Sequence, residues 1–319
     1  MHKVPNKYPV SAPSLFGESA AITISPRQRE LLNAATEIEQ EDAREAGTIG
    51  YAARLWAQLT LPYKNPAPDT QMWVRRNGSL TLRVMPGLTG PKGAEVASYP
   101  FGVLPRLILT FLSTEAVRMQ SPELRLGNNL TDFIHRLGLS ATGGVRGNIT
   151  RLNDQMRRLL TSSMYVEDSR DDGSRWGIAG AHFSVAQSHR LWFDGDDRSG
   201  RKPLLGSTIT LGEEFYQSIV AAPVPVDTRA LAALAGSPMK MDLLVWLSHR
   251  LGYVRKTHMV PWALLAEQFG AEYSRARDFR ADISRALREV LIVYPGANVQ
   301  ITDGGLLLSP SRTAVPRLA

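Results

Sequence analysis

Twice along this chain a short apolar helix closes on an apolar residue and a glycine, Leu137-Gly138 and Phe269-Gly270, and a longer amphipathic helix and a β-hairpin follow. At each glycine the chain must turn sharply, which that residue tolerates without steric cost. Upstream lies another apolar helix, "PRLILTFLSTEAV" in the first half and "MKMDLLVWLSHRLGY" in the second. Three helices, the last two joined by a tight turn, with a closing hairpin, make a winged helix. A chain of 319 residues has room for two. The predicted fold class is therefore α+β, mostly helical, with two pseudo-equivalent winged-helix domains, residues 97–222 and 223–319. An N-terminal accessory segment of helix and hairpin occupies 1–96.

Within that segment Ser25 and Pro26 predict a helix start, with the helix running to Ala46, and "QMWVRRNGSLTLRVM" predicts a hairpin turning at Asn77-Gly78. Such a hairpin leaves an edge that needs a partner. Further on, "ELRL", "IAGAHFSVA", "HRLWF" and "STITL" read as strands, and "AAPVPVD" as a loop before the small helix "TRALAALAG". The wings are expected at Trp176 to Phe193 and at Val299 to Leu308, the second turning at Asp303 to Gly305.

The longer helix in each half carries the candidate chemistry. In the second, Phe279, Ile283, Leu287 and Val290 recur at helical spacing as a buried stripe. Opposite lie Ser274, Arg277, Ala281, Arg285 and Arg288, with Arg280 and Ser284 at the margin and Arg275 just upstream. In the first, Ile149, Leu152, Met156, Leu159 and Leu160 point inward, while Thr150, Arg151, Asp154, Arg158 and Thr161 point outward and Arg157 joins them as a candidate contact. A major groove admits one helix, arginine bonds guanine bidentately, and a small residue such as Ala281 lets the helix axis approach closely. Asn298, Gln300 and Thr302 share one face of the second wing, suited to a phosphate or the minor groove. Arg255, Lys256 and His258 precede the second helix-turn-helix, where positive charge meets phosphate or merely tethers the surface. A lone arginine-rich helix face is ordinarily just solvated, but here the pattern recurs in the same context. The acidic insert "DGDDRSGRK" would repel phosphate and is expected to point away from DNA.

Composition agrees with this reading. The net charge of +7 and isoelectric point near 9.8 favour a polyanionic partner. The chain has no cysteine, which excludes disulfides, thiolate metal sites and cysteine nucleophiles. No apolar run approaches a membrane span of roughly 20 residues and the start has no signal-peptide core, so a soluble, cytoplasmic protein is expected. "GLTGPKG" lacks the spacing and hydroxyl of a nucleotide-binding loop, "DSRDDG" lacks the closing glutamate of a calcium loop, and the six histidines form no metal motif. No catalytic residue, metal or cofactor is expected.

The ordered segments "YPFGVLPRLILTFLSTEAVR", "LRLGNNLTDFIHRLGLSATGGVRGNITRLNDQMRRL", "STITLGEEFYQSI", "PVPVDTRALAAL", "DLLVWLSHRL", "VPWALLAEQFG" and "PSRTAVP" resemble the plasmid RepA-type replication initiators of Gram-negative bacteria, over Tyr99 to Pro316. The resemblance implies a non-enzymatic protein that binds repeated double-stranded origin sites (iterons), helps melt an adjacent A·T-rich segment and recruits the host initiator and replicative helicase. It also implies copy-number control by autorepression and a homodimer in equilibrium with monomer. A winged-helix transcriptional repressor and a tyrosine-dependent nicking enzyme stand as alternatives.

Overall fold

The computed structural model describes residues 24–90, 94–126, 135, 147–171, 173–191, 207–270 and 273–315. Helix α1 (Pro26–Gln40) starts as expected, with a capping box between Ser25 and Gln28 and Pro26 in the first turn. It ends at Gln40 rather than Ala46, because Glu41 is extended and the Asp42 carboxylate draws the chain into a turn by accepting from the Arg44 amide at 2.8 Å. Strand β1 (Ile49–Ala52) and helix α2 (Arg54–Gln58) follow. The hairpin of β2 (Trp73–Asn77) and β3 (Leu80–Met85) forms as predicted, shifted by one residue: Asn77 pairs with Leu80, leaving Gly78-Ser79 as the loop. Only Gly78 of that pair has positive φ, +57°, as a hairpin turn with glycine first demands. A small ribbon of β4 (Gly87–Thr89) and β5 (Val96–Ser98) completes the region.

In the first half α3 (Val103–Met119) is followed by β6 (Glu123–Arg125), α4 (Asn148–Thr161), β7 (Ser163–Asp171), β8 (Trp176–Phe183), β9 (Ala186–Arg190), β10 (Thr208–Leu211) and α5 (Glu213–Val220). In the second half come β11 (Val224–Asp227), α6 (Thr228–Ala233), α7 (Pro238–Leu251), β12 (His258–Pro261), α8 (Trp262–Phe269), α9 (Ala276–Val293), β13 (Val299–Ile301) and β14 (Gly305–Leu308). The two halves share a sheet order. β6-β10-β9 and β12-β14-β13 are both antiparallel, each with its last strand in the middle. With α7, α8 and α9 the second is a complete winged helix. Leu137-Gly138, expected to end the matching short helix of the first half, lies outside the described residues.

Two expectations are corrected. The first wing is not Trp176 to Phe193: β8 pairs with β7, and β7 pairs with β3, giving the four-stranded sheet β2-β3-β7-β8. The strands in wing positions are β9 and β10, and "DGDDRSGRK", between them in sequence, lies outside the described residues. The expected loop "AAPVPVD" contains a strand, because β11 pairs antiparallel with β1, Tyr51 opposite Pro225. Proline is tolerated there since the sheet has two strands and the missing donor falls on an open edge.

The accessory segment touches both halves. β3 pairs with β7 of the first, α1 packs on α6 and α9 of the second, and α2 packs on α7. One apolar core runs through Leu31, Ile108, Leu159, Leu247, Phe279 and Leu306. At the junction Arg106 of α3 holds Asp242 of α7 through both carboxylate oxygens, at 2.7 and 2.8 Å, with side chains 7% and 9% exposed. The same guanidinium donates to the carbonyls of Leu61, Pro62 and Gly102 and lies over the Tyr63 ring. Burial pushes the Asp242 carboxyl up from its ordinary value while Arg106 pulls it down, and burial beside Asp242 pushes the Tyr63 hydroxyl up. Removing one partner of such a pair strands the other charge, at about 3–5 kcal/mol.

Candidate nucleic-acid interface

Helix α9 buries Phe279, Ile283, Ala286, Leu287 and Val290, the stripe its periodicity predicts. Its opposite face is open. Arg277, Arg280, Ala281, Arg285 and Arg288 are exposed, Ser284 is half-buried, and Ser274 and Arg275 stand exposed just ahead of the first turn. The arginines are only lightly held: Arg277 is 86% exposed with Asp278 at 3.7 Å, and Arg285 is 70% exposed with Asp282 at 3.0 Å. Exposed pairs of this kind contribute about 0–1 kcal/mol, so each guanidinium is released at little cost. Arg280 lies over the ring of Trp262, 5.8 Å from its centroid. The indole of Trp262 is buried and donates to the Thr302 and Asp303 carbonyls at 3.2 and 3.0 Å. The wing tip is thereby locked to the helix-turn-helix.

The wing itself is short. A Cβ on Gly305 would sit 2.1 Å from the Val260 carbonyl oxygen, so glycine is what lets β14 pass so close to β12. Asn298 and Gln300 are exposed, whereas the Thr302 hydroxyl donates to the Gly305 carbonyl at 2.9 Å and belongs to the turn. Arg255 and Lys256 are exposed between α7 and β12 and pair with no carboxylate among the described residues. His258 is half-buried, its Nε2 3.5 Å from Arg250.

Helix α4 repeats the buried stripe with Leu152, Met156, Leu159 and Leu160. The side chain of Ile149 lies outside the described residues. Its outer face is more occupied. Thr150, Arg151, Arg157 and Thr161 are exposed, but Arg157 reaches back to the Gly90 carbonyl at 3.2 Å. Arg158, expected to face outward, is built into the scaffold. It donates to Asp154 at 2.8 Å and to Asn65 and the Tyr99 carbonyl at 3.4 Å each, and it stacks over Phe101 with its side chain 17% exposed. Asp154 is correspondingly its counter-ion. Asn65, Tyr99 and Phe101 are distant in sequence from α4, and no local pattern singles them out.

Among the described residues no cluster of three or more potential metal ligands occurs, and no helix is long and apolar enough to cross a membrane. A crystal structure of a selenomethionine derivative of domains 2 and 3 of RctB has the same fold, with a TM-score of 0.51 at 14% identity, covering 82% of this chain and 99% of that one. A second RctB domain 2–3 structure superposes with a TM-score of 0.45 at 15% identity, over 80% of this chain and 94% of its own. No curated protein matches the chain. The family described as plasmid encoded RepA protein matches residues 99–263, more than half the chain and running from the buried Tyr99 through the start of α8. The chain therefore belongs to the plasmid-encoded RepA protein family.

Proposed function

We propose that this protein initiates plasmid replication by binding repeated double-stranded sites in its origin, with α9 as the principal base reader and α4 as a second one. The observation that carries this is the open arginine face of α9, backed by a wing that Trp262 fixes in place. In this reading Arg277, Arg285 and Arg288 contact bases, while Ser274, Arg275, Arg280 and Ser284 flank them and Ala281 allows close approach. Thr150, Arg151 and Arg157 act from α4, with Asp154 and Arg158 as positioning residues. Arg255, Lys256, Asn298 and Gln300 meet the backbone. Host initiator and helicase recruitment, and repression of its own promoter, follow the family.

A homodimer in equilibrium with monomer belongs to the same reading. Strand β8 supports it: among the described residues this edge strand pairs only with β7, it bears no charged side chain from Trp176 to Ala181, and it leaves Trp176 70% and Ile178 51% exposed. A long apolar edge of that kind invites a second, identical strand.

The test is a plasmid whose only origin is the DNA flanking the gene, with the protein supplied in trans. Wild type is expected to maintain it and the double variant Arg277→Ala, Arg285→Ala to lose it. Repression of the flanking promoter without plasmid maintenance would favour a repressor. Magnesium-dependent relaxation of the supercoiled origin plasmid would favour a nicking enzyme.

A further inference from the structure

Between the two reader helices runs the segment Leu61 to Thr70, "LPYKNPAPDT", which belongs to neither winged helix. It is fastened along its length. Arg106 and the Gly102 amide hold the Leu61 and Pro62 carbonyls, and the Tyr99 hydroxyl holds the Thr70 carbonyl at 3.0 Å. The Thr70 amide closes a turn onto the Ala67 carbonyl at 2.9 Å. Pro62, Pro66 and Pro68 remove further backbone freedom.

The middle of the segment faces both readers. Asn65 Oδ1 accepts from Arg158 of α4 at 3.4 Å, while Tyr63 and Lys64 line one cleft with Ser274, just ahead of α9, and with Asp278, Asp282 and Arg285 of α9. Lys64 and Asn65 are exposed, and Lys64 pairs with no carboxylate among the described residues. The acids that share its cleft are engaged elsewhere: Asp278 with Arg277, and Asp282 with Arg285 and the Tyr273 hydroxyl. Where two helices occupy successive major-groove segments of one duplex, the stretch between them presents its sugar-phosphate backbone across the minor groove.

We infer that the Lys64-Asn65 segment is a further DNA-contacting element, a rigid clasp that grips the duplex backbone between the grooves entered by α4 and α9. This rests on the DNA-binding reading above. Lys64 supplies the charge, and the amide nitrogen of Asn65 supplies a donor while its oxygen anchors Arg158. The exposed carboxylate of Asp69 confines the contact to the Lys64 end. Because the segment is already ordered by its anchors, little entropy is lost on binding. A backbone contact stabilises all sequences alike and adds to the salt dependence.

The experiment uses the full chain and a duplex of about 30 base pairs, enough for two groove segments, selected by the wild-type protein from a random library. Lys64→Ala is expected to lower the slope of log affinity against log salt by about one. It should weaken selected and random duplexes by the same factor, and abolish ethylation interference at phosphates between the two protected groove segments. Thermal unfolding should not move, since the side chain is exposed. An unchanged slope with central interference intact overturns the clasp. Failure of the wild-type protein to enrich any sequence overturns instead the DNA-reading assignment on which the clasp rests.

Discussion

Helices α4 and α9 have the same amphipathic design but spend their arginines differently. On α9, Arg277 and Arg285 meet neighbouring carboxylates on the helix surface, Arg280 lies over the Trp262 ring, and the face is open from Arg277 to Arg288. On α4, Arg158 is sunk between Asp154, Asn65, Tyr99 and Phe101, and Arg157 reaches to Gly90. The difference does not come from the helices. It comes from what packs beside α4: Asn65 of the 61–70 loop, Gly90 just after β4, and Tyr99 and Phe101 just ahead of α3. A charged residue on a helix face is a reader only if nothing distant in sequence arrives to claim it.

The comparison presupposes one rigid scaffold, and the strongest way to break it is at Arg106–Asp242. Asp242→Ala is expected to destabilise the protein by about 3–5 kcal/mol in denaturant titration, because the buried guanidinium loses its counter-ion. A loss within a few tenths of a kcal/mol would mean that α3 and α7 are not held together there. Next comes a crossed pair. Arg158→Ala should cost about 1–3 kcal/mol of folding stability, from charge-assisted hydrogen bonds and the Phe101 stack, with sequence preference retained. Arg277→Ala should leave stability unchanged and cost about 1–3 kcal/mol on the preferred site with much less on random DNA. If the two variants exchanged phenotypes, the assignment of scaffold and reader would be reversed.

Smaller effects sharpen the account. Ile178→Lys on the β8 edge is expected to weaken self-association about tenfold, or roughly 1.4 kcal/mol, read by sedimentation over a range of concentrations. Unaltered association would move the dimer contact elsewhere. Arg255→Ala and Lys256→Ala should each lower the salt slope of binding by about one while leaving sequence preference intact.

The second winged helix was legible because its signals are local. The stripe Phe279, Ile283, Leu287 and Val290 is buried as its spacing demands, and the turn after Phe269 and the hairpin around Asp303 fall within a residue of where composition puts them. The first half was legible in its helix and hidden in its sheet. Trp176 to Phe193, β8 and β9, read as a wing because alternating stretches follow the helix, yet β8 pairs with β7 and β7 with β3, so that Leu82 faces Val166 across a long stretch of chain. No periodicity carries that information. Arg106 and Asp242 were hidden for a related reason: each sits inside a largely apolar stretch of α3 or α7, and a charge there reads as incidental until the helices meet. The burial of Arg158 depends on Asn65 and Tyr99, which helical phase cannot reveal.

The central claim is that two helices on one scaffold enter adjacent major grooves of one duplex, α9 reading bases most strongly. Hydroxyl-radical footprinting of the full-length protein on its selected duplex tests it most directly. Two protected patches about one helical turn apart, near 34–36 Å, are predicted, with Arg277→Ala weakening the patch under α9 and sparing the other. A single patch, or equal weakening of both, would contradict the account.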